Sequence, residues 1–188
     1  MRCFFAVELA DAVLEEIERA LRPLRQQVRA RWVARDKQHV TLVFLGDLAP
    51  EQLPYIQEAG ARTARGVLEF KLGVGAASGF PNPHHPRVLW LGLTGQLSEL
   101  QTLKASLDKA LIPHGVTPET RAFRPHLTLA RSAREGGDAR LATCIAALEG
   151  SSFGSSPITH LCLFESRQGA DRYLLRGRYP LTPASERA

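Results

Sequence analysis

Two tetrapeptides carry the side chains best suited to chemistry in this chain: His39-Val40-Thr41-Leu42 and His126-Leu127-Thr128-Leu129. With 6 His, 10 Thr and 27 Leu among 188 residues, chance would supply only roughly 0.05 copies of such a pattern. In an extended strand alternate residues share a face, so His39 projects with Thr41 and His126 with Thr128. Val40, Leu42 and Phe44 then face the core from the first strand, and Leu127 and Leu129 from the second. Two imidazoles titrating near neutral pH, beside two hydroxyl donors, suit cleavage of a phosphodiester. One ring withdraws a proton from attacking water and the other protonates the departing oxygen, each transfer contributing about 10²–10⁴-fold. The hydroxyls can donate to the non-bridging oxygens, where charge must be held through the transition state. Nothing in this chemistry requires a metal.

The surrounding elements repeat in order. Arg2–Leu9 reads as a strand, and Asp11 to about Val28 as an amphipathic helix that Asp11 caps and Pro23 kinks or divides. Gln38–Leu45 is a strand ended by Gly46-Asp47, residues 50 to about 64 a helix, and Val67–Val74 a strand. The proline-rich segment 76–86 reads as a linking loop. Arg87–Leu93, Leu97–Leu111, His126–Ala130, Asp138–Leu148 and Ile158–Phe164 then repeat strand, helix, strand, helix, strand. Arg172–Tyr179 forms a hairpin with the last of these across Gln168-Gly169. The two histidine motifs lie 87 residues apart, and the other matched elements are offset by 84 to 91. This regularity predicts a duplicated unit of the α+β class: two lobes, about 1–75 and 87–166, related by a pseudo-twofold axis within one domain spanning 1–188. Residues 167–188 add a strand and tail. The axis would bring the two polar strand faces together across a central cleft.

Composition sets the outer limits. At 44% hydrophobic and 23% charged residues the chain is an ordinary globular sequence, not collagen-like, disordered or a disulfide scaffold. Cys3, Cys144 and Cys162 form no C-x-x-C pair, and no apolar run approaches a membrane span, so a reduced, cytoplasmic protein is expected. The opening residues do not form a signal peptide, since Glu8 and Asp11 interrupt their apolar stretch. Net charge is +5, with 20 Arg against 4 Lys. Arginine's planar fork suits phosphate oxygens, although a coding bias toward arginine would produce the same count.

The motif strands HVTLVFLG and RPHLTLAR, with RCFFAVEL at the start, make the chain resemble the two-histidine (2H) phosphoesterases. Within them it resembles the bacterial and archaeal RNA 2′,3′-cyclic phosphodiesterases, first described as 2′–5′ RNA ligases. The resemblance runs from Arg2 to about Tyr179. It implies a bilobal α+β fold with antiparallel sheets flanking a cleft, and neither metal nor nucleotide cofactor. It implies His39 as proton donor to the leaving oxygen, His126 as proton acceptor from water, and Thr41 and Thr128 on the phosphate. The implied substrate is RNA with 2′,3′-cyclic phosphate ends, tRNA fragments among the candidates, and the implied product a 2′-phosphomonoester. Ligation to a 2′–5′ bond is the reverse-type reaction known in the family, and the protein is expected to be a monomer. Arg131 matches an arginine that commonly follows the second motif. Strict alternation puts it opposite His126, so it reaches the phosphate only if the strand ends or bulges at Ala130-Arg131.

Two other readings stand beside this one: a non-catalytic module that binds RNA ends, and a phosphodiesterase for a small cyclic nucleotide such as ADP-ribose 1″,2″-cyclic phosphate. Retention of both His and both Thr argues against mere binding, which needs cations rather than titrating groups. Phe4, Phe5 and Trp32 are candidates for stacking a base, with core packing the favoured alternative. His84-His85 lack the neighbouring ligands of a tetrahedral metal site and read as a solvated loop. No nucleoside-triphosphate loop or G-x-S-x-G elbow is present.

Overall fold

The computed structural model describes residues 1–167, 169 and 173–186. Nine strands and four α-helices follow in the order β1 (Arg2–Val7), α1 (Asp11–Gln27), β2 (Arg31–Trp32), β3 (Val40–Asp47), α2 (Leu53–Arg65), β4 (Phe70–Phe80), β5 (Val88–Gly95), α3 (Leu97–Leu111), β6 (His126–Arg131), α4 (Ala139–Ala147), β7 (Ser152–Ile158), β8 (His160–Ser166) and β9 (Leu174–Pro180). Apolar residues at helical spacing put Ile17 and Leu21 of α1, Ile56 of α2, and Leu100, Leu103, Leu107 and Leu111 of α3 fully into the core. They meet Phe5, Leu72, Leu89, Leu91 and Leu127 from the strands.

One antiparallel sheet runs β7-β4-β5-β6-β3-β1-β8-β9, with the short β2 also on β6. Its centre is a thin seam, where β3 and β6 share a single register pair, Val40 with Leu127. The order is symmetric about that seam: β6 corresponds to β3, β5 to β1, β4 to β8 and β7 to β9. The predicted duplication is therefore present, but its lobes are not the contiguous segments 1–75 and 87–166. Strand β4, closing the first unit, pairs with β5 of the second, and β8, closing the second, pairs with β1 of the first. Exchange of closing strands covers the edge that each first strand would otherwise leave open.

Several local expectations are corrected. Strand β4 continues to Phe80, so half of the anticipated 76–86 loop is ladder, and three-proline composition describes only its second half. Strand β7, SFGSSPI, went unpredicted because Ser, Gly and Pro disguise it. It is an edge strand, where Pro157 costs no central ladder bond. Helix α1 runs undivided through Pro23, its last turns anchored by buried Leu21 and Leu24. Ala10, not Asp11, is the N-cap, and the Asp11 carboxylate instead accepts from Arg35 at 3.0 Å. Strand β9 pairs antiparallel with β8 as expected, whereas Gln168 and Arg172 of that hairpin lie outside the described residues. Among the described residues, no helix is long and apolar enough to cross a membrane.

Candidate active site

His126 opens β6, while His39 stands one residue ahead of β3, so both rings sit at strand entrances beside the seam. Their backbones repeat the same local device. Nδ1 of His39 lies 2.8 Å from the Lys37 carbonyl oxygen, and Nδ1 of His126 lies 2.7 Å from that of Arg124. A carbonyl only accepts, so in each ring Nδ1 carries hydrogen and Nε2 is left as the exchangeable position. Thr41 Oγ1 lies 3.0 Å from Nε2 of His39 and donates to it when the ring is neutral.

The rings differ in their surroundings. His39 stacks on Phe4 (ring centroids 4.8 Å apart, 26° between planes), with Tyr173 edge-on at 5.3 Å and Phe164 at 6.1 Å. His126 meets the edge of Phe80 at 5.1 Å and lies 5.9 Å from Trp90. Burial among these rings, opposed by the Lys37 carbonyl and reinforced by the positive fields of Arg131 and His126, pushes the His39 pKa down to about 4.

A bulge in each strand places the remaining groups. Thr41 faces Ala6 and Val43 faces Phe5, leaving Leu42 as the extra residue; Thr128 faces Trp90 and Ala130 faces Leu89, leaving Leu129 as its counterpart. Leu42 and Val43 are consequently both buried, as are Leu129 and Ala130, and the next residue of each strand turns outward. In β6 that residue is Arg131, which the bulge carries to the face of His126 and Thr128. In β3 it is Phe44. The expectation that Phe44 faces the core is wrong: it is 70% exposed, because the extra residue reverses the alternation after Leu42.

Thr41, Phe44, Phe80, His126 and Arg131 line a cleft of about 1010 Å³, together with Arg31, Arg87, Arg121, Arg124 and Arg134. Glu119 and Glu135 are its only acidic lining residues among those described, and Glu119 is already paired with Arg121 at 2.6 Å. The cleft therefore suits an anion. Of the suggested stacking residues, Phe5 is wholly core, Phe4 is buried against His39, and Trp32 packs on the core with its indole N–H donated to Val28. Among the described residues no three His, Cys, Asp or Glu side chains gather as a metal ion would need. The three cysteines are free and buried, and burial pushes the Cys162 thiol up to about 12.

Residues 2–170 match the 2′-5′ RNA ligase superfamily. The chain belongs to that family. Its relatives include the RNA 2′,3′-cyclic phosphodiesterase of Methanothermobacter thermautotrophicus, 30% identical over 88% of this chain and 90% of the relative. The enzyme of the same name from Archaeoglobus fulgidus is 30% identical over 88% and 91% of the two chains. Among solved structures, E. coli LigT in complex with 3′-AMP superposes with a TM-score of 0.76 at 26% identity, covering 96% of this chain and 98% of LigT. The family membership confirms the resemblance carried by the two histidine motifs and the α+β, two-sided fold. It makes the protein a two-histidine phosphoesterase.

Burial of His39 has a measurable consequence for this phosphoesterase. A ring whose pKa falls from 6.5 in the unfolded chain to about 4 in the fold stabilises the protein fully above pH 6.5. That contribution is lost as pH falls from 6.5 toward 4, to a limit of about 3 kcal/mol. Urea unfolding at pH 7 and pH 4.5 should show wild type losing more stability than His39→Gln, which has no ring to protonate. Equal losses would mean that His39 is not held neutral.

Proposed function

We propose that the protein hydrolyses 2′,3′-cyclic phosphate ends of RNA to 2′-phosphomonoesters, with His39 as proton donor, His126 as proton acceptor, and no metal. The observation that carries this reading is the pair of imidazoles with matching Nδ1–carbonyl bonds, each leaving Nε2 for proton transfer beside an arginine-lined cleft. Water loses its proton to Nε2 of His126 as its oxygen bonds to phosphorus. The bond from phosphorus to the 3′-oxygen breaks, and that oxygen takes the proton from Nε2 of His39. Thr41, Thr128 and Arg131 hold the non-bridging oxygens, whose charge grows in the transition state. The names of the relatives support RNA as the substrate. Action as a monomer in the cytoplasm, on ends such as those of tRNA fragments, is part of the same proposal. A 5′-hydroxyl in the place of water would give its proton to Nε2 of His126 and bond to phosphorus as the 3′-oxygen leaves with the proton of His39, forming a 2′–5′ bond.

His39 must hold a proton to serve as donor, yet its burial among aromatic rings disfavours the charged form. A bound phosphodiester anion supplies the charge that favours the imidazolium, so substrate itself would load the acid. The burial of His39 also favours a second reading in which His39 is the acceptor and His126 the donor.

Purified protein treated with EDTA and given an oligonucleotide ending in a 2′,3′-cyclic phosphate should retain its activity and yield only the 2′-phosphate. A 3′-phosphate product would overturn the assignment of the leaving oxygen. Activity lost to EDTA and restored by Zn²⁺ or Mg²⁺ would overturn the metal-free mechanism.

A further inference from the structure

The two histidines receive the same Nδ1–carbonyl bond, but the chain approaches it differently in each unit. Immediately ahead of His126 stands Pro125, whose ring fixes φ by itself. The matching position ahead of His39, 87 residues earlier, is Gln38, whose backbone has no such constraint. The Lys37 carbonyl that meets His39 belongs to the Lys37–Gln38 peptide, at the end of a 3₁₀ turn over Arg35–Lys37. Within that turn the N–H groups of Lys37 and Gln38 donate to Ala34 and Arg35 at 2.9 and 3.1 Å. So short a turn is a weak anchor, because its hydrogen bonds are few and poorly aligned.

Helix α1 supplies a stronger hold. Asp11, Glu15, Glu18 and Arg25 recur at spacings of four, three and seven, which puts them on one stripe of the helix. Arg35 Nη2 donates to Asp11 Oδ1 at 3.0 Å and to Glu15 Oε1 at 3.4 Å, but these pairs face water and contribute little. Glu18 is half-enclosed and meets a buried partner. Its Oε1 accepts from Nε2 of the buried Gln38 at 2.8 Å and from Nη2 of Arg25 at 2.7 Å. The same Arg25 nitrogen donates to the Val33 carbonyl at 3.1 Å, and the Val33 N–H donates to Leu129, on the strand of His126, at 2.8 Å. A buried amide cannot exchange its acceptor for water without cost, so Gln38 and the backbone that bears it are held where Glu18 stands.

We propose that Glu18 is a positioning residue for His39: through the Gln38 amide it fixes the peptide whose carbonyl keeps hydrogen on Nδ1, leaving Nε2 as the exchangeable nitrogen. Such a role rests on the proposed proton transfer by His39 and adds the group, on another element, that sets its ring. Glu18 is not among the residues lining the cleft, so its loss should appear in turnover rather than in substrate binding. His126 then owes its tautomer to backbone alone, and His39 owes its own to a side chain of α1.

The test compares wild type, Glu18→Ala, Glu18→Gln and Gln38→Met, which fills the amide's space but donates nothing to Glu18. Ring-nitrogen NMR of the histidines reports the tautomer at pH 7, where burial keeps His39 neutral. KM and kcat are measured on an oligonucleotide ending in a 2′,3′-cyclic phosphate. In wild type His39 should carry hydrogen on Nδ1 alone. Glu18→Ala and Gln38→Met should both give mixed tautomers at His39, leave the His126 signals in place, and lower kcat roughly 10- to 100-fold with KM little changed. Glu18→Gln, which keeps an oxygen for the Gln38 amide, should restore the wild-type signals and most of the rate. Unchanged His39 signals in either folded variant would make the cluster a structural tie and overturn the positioning role. Should Glu18→Ala fail to fold, Gln38→Met decides alone, since it leaves the Arg25–Glu18 pair intact. Mixed tautomers in the variants of a protein that never hydrolyses the cyclic phosphate would support the positioning role and overturn the proposed activity instead.

Discussion

Replacing either histidine with alanine should lower kcat by roughly 10²–10⁴, with the two variants separated by the substrate that rescues them. A cyclic phosphate with sulfur in place of the 3′-bridging oxygen departs as a thiolate and needs no proton from the enzyme. If His39 is the donor, this substrate should partly rescue His39→Ala and leave His126→Ala slow, because the latter still lacks a base for water. Rescue of His126→Ala alone would establish the reversed assignment that the burial of His39 favours. Wild type should show a bell-shaped pH–rate profile, losing one limb in each variant. Both variants should fold, since neither ring belongs to the fully buried core. Unimpaired hydrolysis by both would remove the paired-histidine mechanism.

Arg131→Ala should produce the next largest loss, about 10²-fold in kcat/KM, as expected when a donor to developing phosphate charge is removed. Arg131→Lys should recover only part of it, because a point charge does not reproduce the bidentate fork. The substitution carries a second signature. Arg131 is one of the cations that hold the His39 pKa down, so its removal should shift the His39 titration upward in ring-proton NMR. A midpoint that stays in place or moves lower would show that Arg131 stands too far from His39 to share its phosphate. Together the two readouts separate a phosphate-binding arginine from one that merely decorates the rim.

Both predictions depend on residues that were legible to different degrees. The histidines and threonines were readable because H-x-T-L occurs twice, 87 residues apart, in β-branched and apolar surroundings that favour strands. Arg131 was readable only conditionally. Its position on the correct face required a bulge, and the adjacent apolar pair Leu129-Ala130 was the sole hint of one. The same hint, Leu42-Val43, preceded Phe44, but an aromatic residue after two apolar ones reads as more core.

The sequence by itself determined most of the helices and strands, β7 and the end of β4 excepted, together with their repeated order and the two H-x-T-L motifs, because periodicity and turn residues are local properties. Tertiary structure decided the remainder. Exchange of β4 and β8 between the units depends on which strand edges are open, and edges exist only once strands have paired. Two bulges, defined by register against β1 and β5, reversed the facing of Phe44 and Arg131. The neutrality of His39 arises from Phe4, Phe164 and Tyr173, which stand far from it in the chain and reach it through β1, β8 and the approach to β9. Two motifs of one pattern thus acquire different neighbours, and burial lowers the proton affinity of His39, since a side chain's pKa and reach follow from what packs around it rather than from its own strand.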